Sequence, residues 1–82
     1  MSKVWVVYID EMVDCDPNVY IAGVYASKER AEEAINDYAN EVEKNYSLDN
    51  SRRDSLSFEM YDEGWYTETH FSAYAVEMEV KE

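Results

Sequence analysis

The chain has 82 residues, and its 7 Lys and Arg against 19 Asp and Glu leave a net charge of −12, well beyond the roughly 2 to 8 units usual for a small soluble domain. Length predicts a single domain over residues 1–82, and the charge argues against direct contact with nucleic acid or an anionic membrane, both polyanions themselves. With 46% hydrophobic and 15% aromatic residues, the composition is that of a chain that folds.

A domain this small is marginal without staples, and the single cysteine, Cys15, cannot form an internal disulfide. No signal-peptide pattern precedes the first elements, and the longest apolar run, residues 4–9, is far short of the about 20 residues needed to span a bilayer. The expectation is a cytoplasmic protein of a bacterial cell, in a reducing compartment. Asn45-Tyr46-Ser47 fits the glycosylation sequon, which in that compartment is a chance match.

Residues 3–9, Lys-Val-Trp-Val-Val-Tyr-Ile, are β-branched or aromatic at nearly every place and predict a strand apolar on both faces, hence central or doubly covered. Residues 19–26 predict a second strand, with the Pro-, Asn- and Asp-bearing stretch 10–18 as the loop that closes the hairpin. Gly23, inside that strand, marks a bulge or a place where a backbone or ring approaches closely. Ser27 then reads as a helix N-cap with Glu29 in the first turn. Ala31, Ile35, Tyr38, Val42 and Tyr46 follow at spacings of 4, 3, 4 and 4, the stripe of a helix laid on a sheet. The helix should fade over 45–55, a loop holding the basic pair Arg52-Arg53.

Leu56, Phe58 and Met60 alternate with Ser57, Glu59 and Tyr61, as in a strand with one buried face. Asp62-Glu63-Gly64 reads as a tight hairpin turn. Residues 65–80 stay strand-like, and at about 3.3 Å per residue a straight strand of that length exceeds a small domain, so a bend is expected at 71–73. Beyond it Tyr74, Val76, Met78 and Val80 alternate with Ala75, Glu77 and Glu79. The predicted fold is α+β: an antiparallel four-stranded sheet with one helix on one face, in the order β-β-α-β-β.

Catalytic and metal chemistry find little support. Asp14, Asp16 and Asn18 begin like a calcium loop, but Val19 stands where Gly is needed and Tyr25 where Glu is needed, so a solvated acidic turn is the better account. With one His and one Cys, a zinc cluster cannot be assembled from imidazole and thiolate ligands. Cys15 and His70 could formally be nucleophile and base, yet the carboxylates around Cys15 oppose a thiolate. There is no phosphate-cradling Gly-rich loop and no Gly-x-Ser-x-Gly elbow. The sequence therefore predicts neither enzyme activity, nor a metal, nor a cofactor.

Two patterns do stand out. Glu29, Glu33, Asp37 and Glu41 recur at every fourth residue of the helix, where like charges are neighbours and destabilise it by about 0.2–0.5 kcal/mol per pair. Arg30 and Lys44 relieve parts of the row, which reads either as the solvated face of an acidic helix or, spaced comparably to backbone phosphates, as a fit for a groove that accepts nucleic acid. Tyrosine is also in excess, with 8 in the chain, too many for one helix and a small sheet to bury. Trp5, Tyr38 and Tyr74 read as core, whereas Tyr61, Trp65 and Tyr66 sit among Asp62, Glu63 and Glu68 as candidate contact residues. The candidate partner-binding set also takes in the loop acids Asp10, Glu11, Asp14 and Asp16.

Residues 3–40, with Lys-Val-Trp-Val-Val-Tyr-Ile and then Ile-Ala-Gly-Val-Tyr-Ala-Ser-Lys-Glu-Arg-Ala-Glu-Glu-Ala-Ile, resemble the opening of many short proteins carried by phages and mobile elements. That resemblance implies a hairpin followed by a helix. In size and charge the chain is similar to phage-encoded inhibitors that mimic DNA, such as the uracil-DNA glycosylase inhibitor, anti-restriction proteins and anti-CRISPR proteins. The resulting expectation is a non-enzymatic inhibitor that occupies the basic surface of a nucleic-acid-handling defence protein. Two alternatives stand beside it: a self-assembling module, as a homodimer through an edge strand, and a small-ligand binder with a pocket between helix and sheet.

Overall fold

The β-branched run at the start of the chain forms a strand longer than its apolar core. In the computed structural model, which describes residues 2–62 and 69–80, β1 is Ser2–Val13 and β2 is Asp16–Tyr25. The predicted loop 10–18 shrinks to a tight turn at Asp14 and Cys15, both with positive φ (50° and 68°), between the paired Val13 and Asp16. Positive φ at both central residues is the primed turn whose twist matches that of the flanking strands, so the polar residues on either side remain in the ladder. Gly23 has both of its predicted roles. The register slips beside it, pairing Val7 with Gly23 but Tyr8 with Ile21, and a Cβ at Gly23 would lie 2.7 Å from the hydroxyl oxygen of Tyr25.

Helix α1 is Lys28–Asn45, capped by Ser27, whose hydroxyl accepts the Arg30 N–H at 3.2 Å. It buries Ala31, Ile35, Ala39 and Val42. Tyr38 packs against the edge of the core, while Tyr46, the last member of the predicted stripe, is the extended C-cap residue with its ring 4.6 Å from that of Phe71.

The remaining strands are β3 Asn50–Asp54, β4 Ser57–Tyr61 and β5 His70–Val80. All pair antiparallel in one sheet of order β2-β1-β5-β4-β3. The fold is α+β with its helix on one face, but the sheet has five strands where four were predicted. The additional strand is β3, Asn-Ser-Arg-Arg-Asp; it holds no apolar residue, so alternation could not reveal it, and its place is set by pairing with β4. The predicted bend at 71–73 is absent as well. β5 pairs with β1 without interruption from His70 opposite Met12 to Val80 opposite Ser2. The premise of the bend was a compact shape, whereas the molecule measures 45 × 20 × 17 Å and the long ribbon runs along its major axis.

One face of the sheet meets α1. Val7 and Ile9 of β1, Phe58 and Met60 of β4, and Phe71 and Ala73 of β5 close the core with the four buried helix residues. Since strand side chains alternate, Val6, Tyr8, Tyr74, Val76, Met78 and Val80 point to the opposite face, which no element of the described residues covers. Tyr74 is therefore not a core residue: it stacks on Tyr8, ring centroids 5.3 Å apart, and stays 44% exposed.

Candidate partner-binding surface

Burying Ala31, Ile35, Ala39 and Val42 dictates where the rest of α1 points. Glu29, Glu33, Asp37 and Glu41 lie on its exposed side, rising about 1.5 Å per residue and thus about 6 Å per step. The row drifts towards β2, where Glu33 and Asp37 border a shallow groove with Tyr25, Arg30 and Ala34. Among the described residues no ion pair or hydrogen bond engages the carboxylates of Glu29, Glu33 or Asp37. Glu41 accepts from the Asn45 amide at 3.2 Å. The helix's own ion pair, Lys28 with Glu32 at 3.8 Å, lies off the row.

The predicted acids Asp10, Glu11, Asp14 and Asp16 lie on the β1–β2 hairpin and not on this surface. Asp10 and Glu11 are successive strand residues and point to opposite faces. Glu11 is engaged within the fold: it accepts the Tyr38 hydroxyl at 2.7 Å and the Asn18 amide at 3.4 Å. Burial first, and the Glu11 carboxylate second, push the Tyr38 hydroxyl well above its ordinary range; the same two causes raise that of Tyr20. Asp14 and Asp16 are exposed at the hairpin tip, where the Asp14 N–H donates to the Thr69 hydroxyl at 3.2 Å. Tyr61 ends β4 on the open face, and half-buried Asp62 accepts the Asp49 N–H at 3.0 Å. Glu63, Trp65, Tyr66 and Glu68, with most of the predicted 62–64 turn, lie outside the described residues.

The sequence profile described as Domain of unknown function (DUF7336) matches residues 2–82. The chain belongs to that family. No curated protein and no solved structure matches it.

In this DUF7336 domain the residue that sequence reasoning placed in a loop and passed over is Arg53. From β3 it donates to Glu43 Oε1 (3.2 Å), Asn36 (3.0 Å) and Asn40 (2.9 Å), pairs with Glu43 Oε2 at 2.9 Å, and lies over the Phe58 ring. Ser51 adds a bond to the same Glu43 oxygen at 3.1 Å. The legible signal was on the helix: Asn36, Asn40 and Glu43 recur at spacings of 4 and 3 along one flank, a ready set of acceptors for a guanidinium. Beside this clamp a cleft of about 270 Å³ opens between α1 and the β3–β4 hairpin, lined by Ile35, Asn36, Arg53 and Phe58 among others; pockets for drug-sized ligands run from about 300 to 1,000 Å³. Among the described residues no three His, Cys, Asp or Glu are grouped to hold a metal ion, and no helix is long and apolar enough to cross a membrane. Cys15 is a free, exposed thiol in the hairpin turn, and His70 begins β5 on the open face.

Proposed function

We propose that this DUF7336 domain is a non-enzymatic binding protein that presents the outer face of α1 to a basic, nucleic-acid-handling protein, in the manner of a DNA-mimicking inhibitor of a bacterial defence nuclease. The observation that carries the reading is the row Glu29, Glu33, Asp37: exposed, aligned on a helix braced from behind by the core, and in no ion pair among the described residues. A row that costs the helix stability, with Arg30 the cation that shares a groove with it, is accounted for by an external positive partner. The net charge of −12 steers approach to a positive cleft and repels nucleic acid and acidic proteins. A bacterial cytoplasm is the compartment in which such a partner would be met.

The test is affinity capture from a bacterial lysate with the wild-type chain and the double variant Glu33→Lys/Asp37→Lys as baits, at low and at high salt, followed by competition with duplex DNA for the captured protein. The reading expects a basic nucleic-acid-binding protein held by wild type at low salt, released at high salt, displaced by DNA, and absent from the variant bait. Capture of neutral or acidic partners, indifferent to salt and to the double variant, would overturn it.

A further inference from the structure

Among the described residues the sheet has a helix on one face only, and the β2–β1–β5 part of its bare face is apolar. Along β1 from Val4 to Tyr8, β2 from Ile21 to Val24 and β5 from Tyr74 to Val80, no open-face position carries a charge, in a chain of which 32% is charged. The charged side chains of this face, such as Asp10 and Glu59, lie outside that stretch. Ile21, Val24, Tyr74, Val76, Met78 and Val80 are each between 37% and 59% exposed. Together they present about 500 Å² of surface, near the upper end for the largest apolar patch on a monomer.

We infer that this face packs on the same face of a second copy, sheet on sheet. Two copies bury at most about 1,000 Å² from these six residues, the floor for a specific interface, to which flanking residues such as exposed Val19 add. Charge selects the occupant. Two chains of net charge −12 can approach closely only where neither presents an acid, and this stretch meets that condition. A basic partner would bury its cations against side chains that cannot pair with them, and an anionic lipid surface is repelled by the chain as a whole. A patch that matches itself needs only a two-fold axis to close. Two twisted sheets stack about 10 Å apart with strands about 30° from parallel, which puts the stacked Tyr8–Tyr74 pairs near the seam and both α1 helices outermost, their acid rows facing away from each other. The inference is independent of what α1 binds.

Sedimentation velocity on the full chain tests it, with Val76→Lys and Ile21→Lys as interface variants and Glu33→Lys as a helix-face control; far-UV circular dichroism confirms that each folds. At about 50 μM the wild type and the control are expected at twice the chain mass of 9.6 kDa. Either interface variant should weaken association at least about thirtyfold, although each lysine lowers the net charge and so the overall repulsion. Added salt should strengthen the dimer by screening that repulsion, opposite in sign to its effect on a basic partner, so failure of one reading is not failure of the other. A wild-type chain monomeric at that concentration, or a dimer that tolerates both lysines, would overturn the proposal. So would a dimer that newly protects the outward amides of β2 from hydrogen exchange, since that marks edge pairing instead.

Discussion

Arg53 donates from all three guanidinium nitrogens, to Glu43, Asn36 and Asn40, and with the Ser51 hydroxyl on Glu43 it holds to the helix a strand with no apolar residue. Its side chain is about one-third exposed, which screens the charge and keeps the contribution below that of a buried pair. Arg53→Ala should cost about 1–2 kcal/mol in urea denaturation, whereas Arg52→Ala, whose side chain is 74% exposed, should stay within about 0.5 kcal/mol. Equal effects would show that the clamp does not anchor β3. Tyr38 supplies a second residue-level expectation. Its hydroxyl titrates higher in the folded than in the unfolded chain, where the ordinary value is 10.0, so the folded state favours the protonated phenol. That stabilisation is complete below pH 10.0 and declines as the pH rises towards the folded value. Tyr38→Phe should lose the bond to Glu11, about 1 kcal/mol at neutral pH, and show a shallower alkaline decline; an unchanged alkaline limb would contradict the assignment.

Among the elements, α1 carries its own specification. The Ser27 cap, Glu29 in the first turn and the buried stripe agree at every level, and Ser27→Ala should lower stability by about 1 kcal/mol by removing the acceptor for the Arg30 N–H. The acid row works against the same helix. Glu33→Lys/Asp37→Lys turns three repulsive steps into two attractive and one repulsive, so the double variant should melt at the wild-type temperature or above; a lower melting temperature would mean that these carboxylates have a structural role. The helix was legible because burial on one side leaves a period in the sequence. β3 was not, because its strand character comes from pairing and from a clamp whose partners sit elsewhere in the chain. Likewise Asp10 and Glu11 read as loop residues from their polarity, yet a turn confined to Asp14 and Cys15 keeps them in the ladder.

At the scale of the molecule, the phase of β5 decides what is left bare. The sequence showed Tyr74, Val76, Met78 and Val80 as an apolar alternation, and a bend at 71–73 would have let them share the helix side with Phe71. An unbroken ladder fixes the phase instead. Phe71 and Ala73 take the core, and the apolar side chains of Tyr74, Val76, Met78 and Val80 face away from it. Length was the misleading premise, since the molecule is 45 Å long and has no need to fold the ribbon back. The result is a division of surfaces: an acid row on the outer side of the helix, and uncharged apolar side chains on the β2–β1–β5 part of the open sheet.

That division, with α1 as the face that meets a basic partner, is tested most directly by the salt dependence of affinity for the captured protein, measured by calorimetry with three forms of the chain: wild type, Glu33→Lys/Asp37→Lys, and Glu77→Lys/Glu79→Lys as an equal charge reversal on β5. The account predicts tight binding by wild type that weakens steeply as salt rises, near-complete loss in the helix variant, where like charges now oppose each other at a cost of several kcal/mol, and a smaller loss in the β5 variant. Equal losses in the two variants, or wild-type binding that does not change with salt, would contradict it.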